Sequence, residues 1–234
     1  MAKFSRIEVI QKMGEIGMVP VFFHKDIEVA KQVLKATYEG GCRVFEFTNR
    51  GDGAHVIFQA LLDYVREELP EMMLGIGSIV DPTTASLYIQ MGADFIVCPF
   101  LNEEVIKICN RRKVAVSPGC GSVSEIGRAE ELGVELVKVF PAAQVGGPGF
   151  IKGVKAPCPW STIMPTGGVT TEKENIASWL KAGAHCVGIG SNLIVKDASG
   201  NIDFEGIKAL TTQVVNDIID IRSVSPKETP VLAN

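Results

Sequence analysis

Short apolar runs alternate along this chain with longer stretches of helical period, and the alternation repeats eight times. A strand buried on both faces reads as an unbroken apolar run, whereas a helix laid against it carries apolar residues three and four positions apart. Chains patterned this way build a parallel sheet with helices outside it. The strands are placed at residues 19–23, 43–48, 73–78, 95–98, 115–117, 136–140, 162–165 and 186–189. Helices are placed at 28–39, 54–68, 83–91, 103–110, 124–132 and 172–182, with a longer last one over 204–221.

Each unit carries its own punctuation. Gly40-Gly41, Gly92, Gly133 and Gly183 precede the next strand by a few residues, as helix stops do, and Asp81-Pro82 and Ser122-Val123-Ser124-Glu125 are helix starts. Eight such units in about 200 residues fit one closed (β/α)8 barrel of an α/β protein with short loops. An open doubly wound sheet competes, but the turn after its first strand carries Gly-x-Gly-x-x-Gly, and here that turn reads His24-Lys25-Asp26. Residues before Val19 form an extra amphipathic N-terminal helix over the barrel floor. The barrel is taken as a single domain over 1–222, followed by a polar, proline-containing tail over 223–234.

With 234 residues, 46% of them hydrophobic, and a net charge of -4, the chain has material for one large core and no electrostatic invitation to nucleic acid. Trp160 and Trp179 stand alone, so no aromatic stripe serves single strands either. No apolar run nears the roughly 20 residues of a membrane span, and the start is amphipathic rather than signal-like, so the expectation is a cytoplasmic protein without a membrane partner. The six cysteines lack any C-x-x-C pair and are expected as free thiols; Cys98 and Cys120, near strand ends, are candidates for reaction, with small buried hydrophobes the better description of most of the set. No metal is expected. His24, His55 and His185 lack H-x-x-x-H spacing, and Asp52, Asp81 and Asp94 are dispersed, as helix caps and surface residues are.

In a barrel of this kind the site forms at the carboxyl ends of the strands. Polar residues interrupt the strands there. Glu46 and Thr48 share one face of their strand, opposite Phe45 and Phe47, and Lys138 is the single charge inside Leu136-Val137-Lys138-Val139-Phe140. Burying an ammonium is costly, so such a site pairs it or favours the neutral amine, which is a nucleophile toward carbonyls. The plainer alternatives are a strand-end lysine reaching water, or a Glu46–Lys138 ion pair without chemistry. Arg50, just past the strand, offers a planar fork for a substrate carboxylate. Thr166-Gly167-Gly168 and Gly188-Ile189-Gly190-Ser191 follow the seventh and eighth strands, where barrels of this class hold phosphate. Gly146-Gly147-Pro148-Gly149 reads as a turn or a further piece of pocket wall.

These segments together resemble one family. Glu46-Phe47-Thr48-Asn49-Arg50, Gly75-Ile76-Gly77-Ser78, Val137-Lys138-Val139-Phe140-Pro141-Ala142 and Pro165-Thr166-Gly167-Gly168 are similar to the class I 2-keto-3-deoxy-6-phosphogluconate aldolases, which overlap with 4-hydroxy-2-oxoglutarate aldolases. The resemblance implies a homotrimer of barrels that cleaves a phosphorylated 2-keto-3-deoxy sugar acid to pyruvate and glyceraldehyde 3-phosphate, with neither metal nor organic cofactor. It implies Lys138 as the Schiff-base lysine and Glu46 as the proton-transfer carboxylate. Arg50 and Ser78 fall on positions that hold the substrate carboxylate, Ser78 where threonine is common. Thr166 falls on a substrate-lining threonine, and Gly167, Gly168, Gly190 and Ser191 on the phosphate loops. Cys98-Pro99-Phe100 and Ile189 depart from the family pattern. Two rival readings share the loops: a phosphate-binding barrel isomerase or epimerase, and an inactive barrel kept for binding.

Overall fold

A computed structural model describes residues 1–224. The chain opens with α1 (Arg6–Ile16), closed at its start by a capping box in which Glu8 N–H donates to Ser5 Oγ and Ser5 N–H donates to the Glu8 carboxylate. Strands and helices then alternate: β1 (Met18–Phe22), α2 (Ile27–Glu39), β2 (Val44–Thr48), α3 (Ala54–Glu67), β3 (Met73–Gly77), α4 (Pro82–Met91), β4 (Phe95–Val97) and α5 (Glu103–Arg112). The second half comprises β5 (Ala115–Ser117), β6 (Gly119–Cys120), α6 (Val123–Glu131), β7 (Val137–Val139), α7 (Gly147–Lys155), β8 (Ile163–Pro165), α8 (Lys173–Lys181), β9 (Val187–Ile189) and α9 (Phe204–Val224).

All strand pairs are parallel, in the orders β5-β4-β3-β2-β1-β9 and β6-β7-β8. Two joints make these pieces one ring. Between β5 and β6 lies only Pro118, which has no N–H to give the ladder, while its carbonyl accepts from Lys138 N–H at 3.0 Å. The other joint is a single bridge, Thr166↔Gly188, between the ends of β8 and β9. The result is a (β/α)8 barrel whose fifth stave is broken at a proline.

Several placements differ from the sequence reading. Gly146–Gly149 is neither a turn nor pocket wall: with Gly146 at φ 125° and Pro148 in the first turn, it opens α7, a helix whose three glycines hide its period. Helix α9 runs on to Val224, so positions 223 and 224 of the expected tail are helical; 225–234 lie outside the described residues.

Asp94 is neither a cap nor a surface residue. It is fully buried and accepts from Leu74 N–H at 3.0 Å, Lys3 N–H at 2.9 Å and Arg66 Nη2 at 2.9 Å, tying the amino-terminal segment to the base of β3 and β4. His185 sits on the same floor, its Nε2 3.3 Å from Ile10 O, where burial holds the imidazole below its ordinary value. All six cysteines are free, and Cys98 and Cys120 are among the buried ones: burial pushes both thiols up to about 12. Among the described residues no helix is long and apolar enough to cross a membrane, and no three His, Cys, Asp or Glu group as metal ligands would.

Candidate active site

Lys138 is the middle residue of β7 and Glu46 the middle residue of β2, and both side chains turn into the ring. Their strands lie on different sides of the barrel, yet Lys138 Nζ and Glu46 Oε1 are 3.9 Å apart, with side-chain exposures of 7% and 1%. That is ion-pair range and beyond hydrogen-bonding distance. Glu46 Oε2 is buried without a hydrogen-bond partner among the described residues, as is Thr166 Oγ1. A closed salt bridge would satisfy its oxygens; this carboxylate is held near an amine with acceptor capacity to spare. Burial raises the Glu46 carboxyl above the usual 4.5, against the opposing pull of the Lys138 and Arg50 charges. The Lys138 ammonium also lies 5.0 Å from the Phe140 ring centroid.

The register explains how a glutamate fits there. Thr48 pairs with Gly77 and Glu46 with Gly75 across β2 and β3, and the Glu46 carboxylate occupies the space a side chain at Gly77 would need. Gly188 similarly makes room for the Thr166 hydroxyl. Two strand glycines thus set the positions of two polar groups.

Above the pair opens a cavity of about 510 Å³. Thr48 and Phe140, two residues further along the strands of Glu46 and Lys138, line it, as do Arg50 and Thr166. Gly167, Gly168, Gly190 and Ser191 form another part of the wall. Gly167 and Gly168 are left-handed, at φ 93° and 82°, and a Cβ at Gly168 would collide with Ala143 Cβ. Asn192 Nδ2 donates to Val169 O at 2.9 Å, fastening the loop after β9 to the loop after β8.

Of the site residues singled out in the sequence, Glu46, Lys138 and Ser78 are not among the lining residues; the first two meet inside the ring, each two residues back along its strand from the lining residues Thr48 and Phe140. Ser78 leaves β3 half-buried, in the left-handed region at φ 61°, and does not line the cavity. His24 is also outside it, its ring stacked on Phe22 with centroids 6.2 Å apart. Two lining residues, Ile194 and Lys196, lie beyond every segment the sequence singled out. Lys196 lies beyond the last strand in a stretch with neither helical nor strand period, so only its positive charge marked it.

Fold and site together define a (β/α)8-barrel enzyme with a buried lysine–glutamate pair beneath a glycine-walled cavity. The family model for KDPG and KHG aldolases matches residues 9–210, and the chain belongs to that family. Among its relatives, the 2-dehydro-3-deoxy-phosphogluconate aldolase of Pseudoalteromonas atlantica is 31% identical over 199 residues, covering 85% of this chain and 89% of that one. The KHG/KDPG aldolase of Escherichia coli is 30% identical over 198 residues, covering 85% and 90%. The KDPG aldolase of Legionella pneumophila, solved with pyruvate captured at low pH as a covalent carbinolamine intermediate, superposes with a TM-score of 0.79 at 27% identity, covering 88% and 97%. The fold reaches further: an N-acetylmannosamine-6-phosphate 2-epimerase of Clostridium perfringens matches with a TM-score of 0.63 at 10% identity, covering 79% and 90%. The barrel alone therefore does not choose between aldolase and epimerase.

Proposed function

We propose that this protein is a class I aldolase that cleaves 2-keto-3-deoxy-6-phosphogluconate to pyruvate and glyceraldehyde 3-phosphate, with 4-hydroxy-2-oxoglutarate, giving pyruvate and glyoxylate, as a second substrate. The observation that carries the reading is the Lys138–Glu46 pair, 3.9 Å apart and buried beneath the cavity. An epimerase working by proton transfer has no use for an imine-forming amine, and a binding protein has no use for a desolvated glutamate with an unpartnered oxygen.

The chemistry follows from these groups. Lys138, as the neutral amine, adds to the C2 ketone; protonation of the carbinolamine oxygen, with Glu46 as the nearest acid, expels water and leaves a protonated imine. Glu46, now ionised, takes the proton of the C4 hydroxyl. The C3–C4 bond breaks, its electron pair passing into the imine to give an enamine as the aldehyde leaves. Protonation of the enamine at C3 and hydrolysis then free pyruvate and restore the amine. The iminium is the electron sink, so this sequence calls on no metal or organic cofactor. Arg50 takes the substrate carboxylate, and Gly167, Gly168, Gly190 and Ser191 the phosphate, whose binding energy orients the reacting carbons. Thr166, with its free hydroxyl, faces the substrate between them. Ser78 and the homotrimer belong to this scheme by family resemblance alone, and the cytoplasmic location is carried over from the sequence.

Borohydride added with pyruvate tests the reading: a stable adduct on the peptide containing Lys138 is expected. An adduct on Lys152 or Lys155, or none while cleavage proceeds, removes Lys138 from the mechanism. Light scattering at three times the chain mass is the result expected for the trimer; the mass of a monomer would discard it.

A further inference from the structure

The cavity above the Lys138–Glu46 pair is lined by two cationic side chains, Arg50 and Lys196, and by no carboxylate among the described residues. Several surface lysines here find an acid: Lys12 pairs with Glu15, Lys31 with Glu28, Lys107 with Glu104 and Lys208 with Glu39. Neither Arg50 nor Lys196 forms an ion pair among the described residues.

For Lys196 the reason lies in the hairpin that carries it. Its neighbour Asp197 is an obvious counter-ion, yet Asp197 Oδ1 is committed to the turn, accepting from Ser199 N–H at 2.8 Å and Asn201 N–H at 2.9 Å. The Asn201 and Ser199 N–H groups hold the Asp197 carboxyl below its usual range, and it forms no ion pair with the lysine among the described residues. The root of the hairpin is anchored. Lys196 bridges Ile202, Asp203 N–H donates to Val195 O at 3.0 Å, and Val195 and Ile202 pack against the core. The backbone beneath Lys196 is fixed while its exposed ammonium is left over, beside the same cavity as the glycine loops.

A phosphorylated 2-keto sugar acid has an anionic group at each end, and backbone N–H groups bring only partial charges to a dianion. We infer that Lys196 supplies the full positive charge of the phosphate end of the cavity, and so sets the preference of this enzyme for phosphorylated over unphosphorylated substrates. Arg50 is its counterpart at the carboxylate end. This rests on the reading of Gly167, Gly168, Gly190 and Ser191 as the phosphate loops. A lysine suits the place, because its compact charge on a flexible stem can follow a phosphate without demanding a fixed fork geometry.

The test uses the whole chain with Lys196→Met and Lys196→Arg, two substrates, 2-keto-3-deoxy-6-phosphogluconate and its dephosphorylated form, and inorganic phosphate as inhibitor. The readout is the ratio of kcat/KM for the two substrates, which cancels any general loss of activity. In Lys196→Met the ratio is expected to fall about tenfold, the loss of one charge-assisted contact, with a matching rise in the phosphate inhibition constant. Lys196→Arg should recover most of it. If the native enzyme shows the preference and Lys196→Met keeps both the ratio and the inhibition, the inference is overturned and the phosphate loops stand without it. If the native enzyme neither prefers the phosphorylated substrate nor responds to phosphate, the phosphate reading fails and takes the inference with it.

Discussion

Replacing Gly77 with alanine adds one methyl group to the strand behind Glu46, and the structure says what that methyl meets. A Cβ there would lie 2.6 Å from Glu46 Cδ and 2.9 Å from Cγ, with Oε1 closer still. The backbone of Gly77 is not left-handed, so alanine fits its φ without penalty, and the whole effect passes through the side chain of Glu46. Glu46 is 1% exposed and enclosed by packed strands, which leaves two outcomes. If the carboxylate stays, the overpacked site costs about 1–3 kcal/mol, or several degrees in Tm for a domain of this size. If it yields, Oε1 retreats by more than an ångström from its place beside Lys138 Nζ, and a misplacement of that order costs roughly 10²-fold in rate. The assay is kcat for pyruvate release beside a thermal melt. Gly127→Ala is the control: it is exposed within α6, a Cβ there meets nothing, and it should add about 0.5–1 kcal/mol of stability without touching the rate. A Gly77→Ala enzyme with native kcat and native Tm would refute the placement of Glu46.

The mechanism needs the Lys138–Glu46 pair to hold a single proton, on the carboxyl while the amine adds. Because burial raises the Glu46 carboxyl, the pair takes up a second proton at a pH above 4.5, so the rate should fall as pH drops through that value, and Glu46→Gln should turn over roughly 10²–10⁴-fold more slowly and lack that limb. Asp94→Ala strands the Leu74 N–H and uncouples Arg66, a loss of about 3–5 kcal/mol visible in urea denaturation; a loss below about 1 kcal/mol would contradict the buried anchor. Iodoacetamide at pH 8 should label the native protein at Cys158, the one cysteine with appreciable exposure, while Cys98 and Cys120 react only after unfolding; early labelling of either would contradict their burial.

How much of this could be read from the chain depended on whether the signal was local. The barrel could be read because each strand is an apolar run and most units end on a glycine. Glu46 and Lys138 could be paired because each is a lone charge on an apolar strand with a period of two. Helix α7 was missed because glycine and proline at its start imitate a turn. The fate of Asp94 depends on partners 20, 28 and 91 residues away, which no window along the chain contains. Lys196 was hidden for a similar reason, since its lack of a counter-ion follows from where the neighbouring Asp197 sends its hydrogen bonds. Ser78 is the opposite case: the resemblance points to it, while its place past the end of β3, outside the cavity lining, gives no local signal for the role.

The ring is joined where the chain's two ends meet, β1 against β9 through Met18↔Val187, Val19↔Gly188 and Pro20↔Ile189, and β9 against β8 through the single bridge Thr166↔Gly188. Thr166, Gly190 and Ser191 all stand at this seam. During synthesis, a chain interrupted before Val187 already carries Lys138 and Glu46 but has no loop after β9 to complete the cavity. Bringing the first strand to the last closes a loop that spans most of the chain, so the pocket is complete only once that long-range seam has formed. Once it has formed, any ligand that bridges the loops after β8 and β9 acts as a latch on the barrel, drawing by mass action on the same equilibrium that keeps the ring shut.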